Sequence, residues 1–502
     1  MRSWTFVSAI YIFIWALLAP VAAVVLLANA AAALIVQALH LLGAVRNSPS
    51  PKLNTAPAPI ARPTRRPFIS VHVPAYDEPP EILARTLRAL AAVDYPEFEV
   101  LVLDNNTPDS KTWRPIQKLC RELGPRFRFF HFDGVEGAKA GALNLCLELM
   151  HPMTRYIAVV DADYQVSRDF LSTAEQHLAA GEVSFVQFPQ AYRNISDTCA
   201  GVELELSDYF LNFARQANAS RSMLLTGTLS VIKANALKAV GGWSAATITE
   251  DAELGVRLLR AGKRGLYVHK AVGRGLLPLD LEGLKQQRDR WVAGNVQTLL
   301  RVRALFSPRG WRRGAVSVAA QLTAWPSFWL LPALTLISGP LLQPLVIWGE
   351  PWRALALHAA ALTILFTALA TGLRLGISAL AWRRSPKGLG QALLVKLALI
   401  WTSSAAWLDS LKTLAFVRTP KAGDGKPARR LALDANVVAG ALGGLAMLAY
   451  TAQGQLGMAL ASALIAATWP AALLVARSLQ TYAEHQKARQ RQQPQPAARP
   501  AA

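Results

Sequence analysis

Long stretches almost free of charge constrain this chain before anything else. Residues 4–45, 315–348, 354–373 and 437–476 are such blocks. A helix of about 20 apolar residues crosses the hydrocarbon core of a bilayer, whereas a water-soluble core helix is usually shorter. The pattern predicts a multi-pass membrane protein with spans near 5–27, 30–45, 315–338, 353–374, 435–453 and 456–476. The first block is too long for a cleavable signal peptide and is expected to turn near Asn29 into two helices. The even number of spans leaves both ends on one side.

Charge fixes which side. The formal net charge is +21, and the excess lies beside the apolar blocks. Arg46, Lys52, Arg62, Arg65 and Arg66 follow the first block. Arg309, Arg312 and Arg313 precede the second, Arg383, Arg384 and Lys387 follow the third, and the tail after Arg477 is basic. Basic loops stay inside, so the region from Arg46 to Arg313 and both termini are expected in the cytoplasm. Placed this way, the positive charge describes topology and gives no reason to expect nucleic acid as a partner. Cys120, Cys146 and Cys199 show no metal-ligand spacing and are expected to be reduced bystanders.

Between the first two blocks the pattern becomes that of a soluble α/β domain. After a Pro/Ala/Arg-rich linker, strands are expected at 68–73, 100–103, 127–132 and 156–160, with helices at 82–91, 111–123 and 138–150 between them. Such alternation predicts a parallel sheet with right-handed crossovers. Ligands in these sheets bind beyond the carboxyl ends of the strands. Tyr76, Asp104 and the pair Asp161 and Asp163 would then share one crevice. Two carboxylates one residue apart repel unless a cation lies between them, and a hard divalent ion carrying a diphosphate satisfies that need. Gly137-Ala-Lys139-Ala-Gly141 opens a helix with a countercharge for phosphate. No Gly-Lys-Ser/Thr run or Gly-x-Gly-x-x-Gly is present, which excludes a P-loop and makes a dinucleotide cofactor unexpected. Further on come Gln187-Phe-Pro-Gln190, a strand-like 227–232, Thr249-Glu250-Asp251 opening a helix, and Gln287-Arg-Asp-Arg-Trp291. Read singly, each admits a plainer account: a solvated Asp-x-Asp turn, a helix-start lysine, first-turn acids capping a helix, and an interfacial helix with snorkelling arginines.

Together and in this order the residues resemble the membrane-embedded, processive members of glycosyltransferase family 2, the synthases of cellulose, hyaluronan and related β-glycans. The resemblance runs from about Phe68 to Leu305. It implies a nucleotide-diphospho-sugar transferase (GT-A) domain inserted between transmembrane helices, and a hexosyltransferase activity. It implies that Asp104 contacts the uracil or ribose of a UDP-sugar donor, with Tyr76, Asp77 and Glu78 at the same edge and Lys139 near the phosphates. Asp161 and Asp163 would hold the diphosphate through Mg²⁺ or Mn²⁺. Asp251 would be the general base, with Glu250 beside it. Arg290 would stabilise the departing diphosphate, Trp291 would stack on the acceptor sugar, and Gln287 and Arg288 would complete the pocket. Phe416, Thr419 and Lys421 are similar to the family's gating loop, with Arg418 where that loop has valine.

The implied division is 1–46 transmembrane, 47–66 linker, 67–278 catalytic, 279–313 interfacial with Gln-x-x-Arg-Trp, and 314–376 a transmembrane hairpin. Then come 385–430 as an amphipathic interfacial helix with the gating loop, 434–477 a second hairpin and 478–502 a disordered basic tail. Two departures stand out. Asp104-Asn-Asn replaces the family's frequent Asp-Asp-Gly, and no domain follows the last span, so control by a C-terminal cyclic-nucleotide-binding module is not expected. The expected protein is a processive inverting enzyme of the bacterial inner membrane, building a β-glycan from UDP-glucose. Its partners would be the growing polysaccharide, the lipid bilayer and periplasmic or outer-membrane export proteins. Its rivals are an enzyme adding one sugar to a lipid acceptor, and a non-catalytic transporter or scaffold.

Overall fold

The computed structural model describes residues 2–46, 66–179, 183–193, 195, 199–301, 312–342, 350–381, 385–410 and 435–492. The soluble part is built on a seven-stranded sheet of order β3-β2-β1-β4-β7-β6-β8. Its strands are β1 (Phe68–Ala75), β2 (Phe98–Asn105), β3 (Phe127–Phe132), β4 (Thr154–Val159), β6 (Phe185–Gln187), β7 (Ser230–Lys233) and β8 (Gly265–Tyr267). A ribbon of β5 (Gln165–Val166) and β9 (Gly273–Arg274) stands apart. The first four strands are mutually parallel, as the alternation with helices predicts. β7 runs antiparallel to β4 and β6, so the sheet is mixed.

Period-two alternation divides the core between two faces. Val71, Val73, Val100 and Val102 pack on one face against the helices Pro80–Ala91 and Ser110–Leu123. Leu101, Leu103, Ile157 and Val159 pack on the other against the helices Ala138–Leu149 and Glu250–Arg260. Both faces are covered, which is why these strands read as unbroken apolar runs. Register places Ala75 opposite Asp104 and Asp104 opposite His131, so the strands end together.

Among the described residues, five helical stretches are long and apolar enough to cross a membrane: Pro20–Val45, Pro351–Leu380, Pro386–Asp409, Ala435–Ala452 and Leu456–Gln486, the third broken at Leu399 and the fifth at Ala467. Three expectations are corrected here. The first block is one continuous helix, Arg2–Arg46, with no turn at Asn29. Asn29 Nδ2 donates to the Phe328 carbonyl at 3.2 Å, so this polar group is satisfied sideways without breaking the helix. The expected span 315–338 is two helices, Arg312–Leu322 and Leu330–Leu342. Pro326 stands between them, where a ring in place of an N–H stops a helix. The helix Thr468–Gln492 continues well past residue 478, where a disordered tail was expected. Leu479, Tyr482 and Gln486 make a buried stripe along it, and Tyr482 donates to the Arg193 carbonyl at 3.3 Å.

The segment expected to be an interfacial helix is instead one of these five apolar stretches; it is broken at Leu399 into Pro386–Ala398 and Ile400–Asp409, and the first part lies against the helix Ala200–Asp208. The approach is close: a Cβ on Gly201 would stand 2.5 Å from Gln391 Cβ. The long helix Leu281–Arg301 carries the Gln-x-x-Arg-Trp residues. It touches the start of the helix Glu250–Arg260, where a Cβ on Gly294 would lie 2.5 Å from Thr249 Oγ1 and 2.8 Å from its backbone nitrogen.

Gly294→Ala is therefore expected to destabilise the protein by about 1–3 kcal/mol through overpacking. Thermal unfolding of the purified protein in detergent reads this as a lowered Tm. Gly372→Ala, with nothing within 4 Å of the added carbon, gains helix propensity and leaves Tm unchanged or raised.

Candidate active site

The strand ends open onto a cavity of about 460 Å³. After β4 the chain makes a turn that presents Asp161 and Asp163. Tyr164 N donates to the Asp161 carbonyl at 3.0 Å, and Thr86 Oγ1 clamps the Ala162 carbonyl at 2.8 Å. Thr228 Oγ1 accepts from Asp161 N at 3.0 Å, and Asp163 Oδ2 accepts from Leu276 N at 2.9 Å. Both acids line the cavity with Tyr76, Glu78, Lys139, Glu250, Asp251, Gln287, Arg290 and Trp291. Residues spread over more than 200 positions of sequence thus meet at one edge of the sheet.

Lys139 is the cation at the centre. Its ammonium lies 2.6 Å from Asp161 Oδ1, 3.6 Å from Glu250 Oε1 and 3.0 Å from the Gly227 carbonyl. Burial opposes the Lys139 charge, but Asp161 and Glu250 outweigh it and raise its proton affinity. Gly227 is required where it is. Its φ is +84°, and a Cβ there would sit 3.0 Å from Asp251 Oδ2 and 3.4 Å from Lys139 Nζ.

Asp251 stands in the first turn of its helix. Burial, reinforced by the Glu250 carboxylate, pushes it up to about 7 against the pull of Lys139 and of the amides of Ala252 and Asp251. The neighbouring N-cap residue, Thr249, makes no side-chain cap bond. Burial also lowers Arg290, which Glu250 and Asp161 partly offset.

A second, smaller cavity of about 50 Å³ continues from the first. Gln190, Thr226, Thr249, Asp251 and Trp291 border both. Beyond them it is walled by Leu206, Tyr209, Phe210, Asn295 and Gln321, on helices that adjoin the membrane segments, and by Trp325 in the link before Pro326.

Three residues expected in the pocket do not line it: Asp77, whose backbone N–H donates to Thr107 Oγ1 at 2.8 Å, Asp104 and Arg288. Asp104 is buried behind the wall, accepting from Thr107 Oγ1 at 2.7 Å and lying 2.7 Å from His131 Nδ1, while Asn105 and Asn106 reach the cavity surface. Burial raises Asp104, opposed by Thr107 and His131. Arg288 is fully buried beneath Trp291 and bonded to Glu205 at 2.5 Å. Phe416, Thr419 and Lys421 lie outside the described residues. Conversely, Gln190, Tyr192 and Thr226 line the site without having been singled out as site residues. Buried Gln187 explains part of this, since it accepts from Thr226 N at 3.0 Å and donates to the Thr228 carbonyl at 2.8 Å, fixing that loop.

Among the described residues no three His, Cys, Asp or Glu side chains form a cation cage. Asp161 and Asp163 instead offer two carboxylates at an open wall. That donor set fits a hard divalent ion that takes its remaining oxygens from a bound diphosphate.

Residues 156–411 match the glycosyl transferase family group 2, and residues 70–240 match glycosyl transferase family 2. The chain is 30% identical over 257 residues to the cellulose synthase catalytic subunit (UDP-forming) of Xanthomonas axonopodis pv. citri, covering 49% of this chain and 34% of the relative. It is 28% identical over 243 residues to glucomannan 4-beta-mannosyltransferase 7 of Arabidopsis thaliana, covering 46% and 43%. It is 27% identical over 336 residues to the beta-monoglucosyldiacylglycerol synthase of a Synechocystis species, covering 62% and 64%. The chain thus spans 34% to 64% of the length of these relatives. The mannosyltransferase PcManGT from Pyrobaculum calidifontis, solved with GDP-Man and Mn²⁺, shares the fold with a TM-score of 0.51 and 21% identity over 77% of this chain and 99% of that one. With its sheet, its carboxylate-lined strand ends and a family match over half its length, the chain belongs to the family 2 glycosyltransferases and is related to the cellulose and glucomannan synthases.

Proposed function

We propose that this enzyme is a processive, inverting β-glycosyltransferase that polymerises a sugar from a UDP-sugar, with UDP-glucose the leading candidate, and passes the β-glycan across the bacterial inner membrane through its own helices. One observation carries the reading: Asp251 borders both the charged cavity at the strand ends and the aromatic-walled passage behind it. A base at that boundary is where a donor entering from one side meets an acceptor entering from the other.

In this mechanism Tyr76, Glu78 and the Asp104–Asn106 strand end hold the nucleoside. Lys139, Gln287 and Arg290 face the diphosphate, a planar guanidinium fork being well matched to phosphate oxygens. A Mg²⁺ or Mn²⁺ ion held by Asp161 and Asp163 would neutralise charge developing on the leaving diphosphate. The acceptor sugar stacks on Trp291. Its hydroxyl oxygen bonds to the anomeric carbon of the donor while Asp251 takes the hydroxyl proton. The bond from that carbon to the phosphate oxygen breaks, and its electron pair leaves with UDP. A single displacement inverts the anomeric centre, so an α-linked donor gives a β-linked product. The basic residues flanking the domain favour a cytoplasmic site.

A second reading has its own support. The relative named as a glycolipid synthase is matched over a larger share of both chains than the cellulose synthase subunit. Under that reading the same base and donor pocket serve a single transfer to a lipid hydroxyl. Incubating the purified protein with a panel of radiolabelled nucleotide sugars and size-fractionating the product separates the two. A polymer is expected; a glycolipid carrying one sugar selects the second reading.

Asp251→Asn is expected to lower transfer by about 10²–10⁴-fold while donor binding, measured by calorimetry, persists. Because Asp251 must be ionised to accept a proton and its affinity is raised to about 7, kcat/KM falls about tenfold per pH unit below that value and levels off above it. Glu250→Gln removes a carboxylate that holds Asp251 up, so the acid limb of the same profile moves to lower pH. Chelation with EDTA abolishes transfer, and added Mg²⁺ or Mn²⁺ restores it; Asp163→Asn raises the metal concentration needed.

A further inference from the structure

Behind Trp291, on the side away from the donor cavity, lies a buried cluster of ions from three helices. Glu205 comes from Ala200–Asp208, Arg288 from Leu281–Arg301 and Lys396 from Pro386–Ala398. Arg288 Nη2 is 2.5 Å from Glu205 Oε2, and Lys396 Nζ is 2.9 Å from Glu205 Oε1. Glu205 and Arg288 are each 1% exposed at the side chain.

One carboxylate for two cations leaves a positive excess in the interior, and the indoles answer it. The Arg288 guanidinium lies 4.3 Å from the Trp291 ring centroid and 4.7 Å from that of Trp325, and Lys396 Nζ lies 5.2 Å from Trp325. The rings of Trp291 and Trp325 stand 5.1 Å apart, and Tyr209 stacks on Trp325 at 5.5 Å and 15°. Arg288 Nη1 also donates to Gln287 Oε1 at 3.1 Å. Neither Glu205, Arg288 nor Lys396 lines either cavity.

Burying such a group of charges is costly, and an apolar packing of equal volume would often be as stable. What apolar packing would not supply is direction. Arg288 cannot shift without unpairing Glu205, and the other oxygen of Glu205 is held by a lysine on the apolar helix Pro386–Ala398. The ring plane of Trp291 is thereby referred to that helix.

We propose that Glu205 and Lys396 are positioning residues that act through Arg288 to set Trp291 and Trp325 as the platform for the acceptor, so that the helix Pro386–Ala398 and the acceptor platform hold or move together. This rests on the reading of Trp291 as the acceptor contact. Arg288 also reaches the donor side through Gln287, so the split is read at Glu205 and Lys396, one contact further from the donor cavity. Misplacing a reactant by about 1 Å costs up to about a hundredfold in rate.

The test uses the full-length purified protein and compares transfer to acceptor with release of UDP to water, together with donor KM. Wild type and Trp291→Ala come first. If Trp291→Ala transfers as well as wild type, the functional reading fails on its own, independently of the cluster. Lys396→Met is then expected to lower transfer by about tenfold to a hundredfold, with donor KM and UDP release to water little changed, and Lys396→Arg restores transfer. Glu205→Gln, which keeps the shape of the side chain and removes the charge that ties Lys396 to Arg288, gives the same split and decides the matter if Lys396→Met does not fold. A parallel fall in transfer and UDP release, or no change in either, overturns the proposal.

Discussion

Everything at the strand ends depends on one ammonium group. Asp161, Asp163, Glu250 and Asp251 all face the same cavity, and unit like charges 4 Å apart repel by roughly 4 kcal/mol at an effective dielectric near 20. Lys139 offsets this at its centre, touching Asp161, Glu250 and the Gly227 carbonyl. Its reach requires the helix Ala138–Leu149 to begin beside the sheet edge, and Gly227 to carry no side chain in the gap. The compensation is uneven. Lys139 bonds to Asp161 and pairs with Glu250, whereas Asp251 feels it only at longer range, with some help from helix-end amides, and is left buried beside a like charge. Uneven compensation is what separates the proton affinities of neighbouring carboxylates, and it gives the site an acid poised near neutrality.

The soluble and membrane parts share a core. The helices Ala200–Asp208, Leu281–Arg301, Pro386–Ala398 and Thr468–Gln492 contribute to a single apolar cluster that includes Val202, Leu284, Val395 and Leu479. Asp208, at the end of the first of these, pairs with Arg374 inside the long apolar helix Glu350–Ala381, and Asn212 bonds to Ser378 at 2.6 Å on that same helix. Between these contacts the chain widens into a π-helical turn, Tyr209–Ala214, which aims Tyr209 and Phe210 at the smaller cavity. Such turns are rare and tend to re-aim side chains at working sites. Polar pairs in an apolar surrounding are expensive to break, so these contacts tie the wall of the smaller cavity to the helix Glu350–Ala381.

The sheet was legible in the sequence because both its faces are covered. Unbroken apolar runs ending in acids mark strands and strand ends at once, and β1 to β4 follow in that order with Asp161 and Asp163 at the expected edge. What stayed hidden has physical reasons. Arg288 and Arg290 are two positions apart on a helix, which turns them to different faces. Only the fold shows that Arg290 meets the cavity while Arg288 lies buried behind Trp291. Asn29 reads as a turn residue until its partner across the membrane helices is seen. Residues 478–492 are polar enough to look unstructured, yet three side chains at helical spacing dock them. Tyr192 and Thr226 carry no charge and no motif, and Gln190 stands out only as the end of a Gln-Phe-Pro-Gln run; the buried amide of Gln187 holds Thr226, whose carbonyl accepts from Gln190.

The two cavities meeting at Asp251 differ in kind, and the difference is chemical. The strand-end side gathers Lys139 and Arg290 against carboxylates, a setting for a ligand that brings its own negative charge. The other side presents Trp291, Trp325, Tyr209 and Phe210 with neutral amides, a setting for a ligand with C–H faces and hydroxyls. A cation exposed on that second wall would bind phosphate as readily as sugar and would confuse the two ends of the reaction. Arg288 and Lys396 are instead placed behind the indoles, against the ring faces. Charge is thus kept off the neutral side, and Asp251 stands at the boundary between a charged setting and an uncharged one.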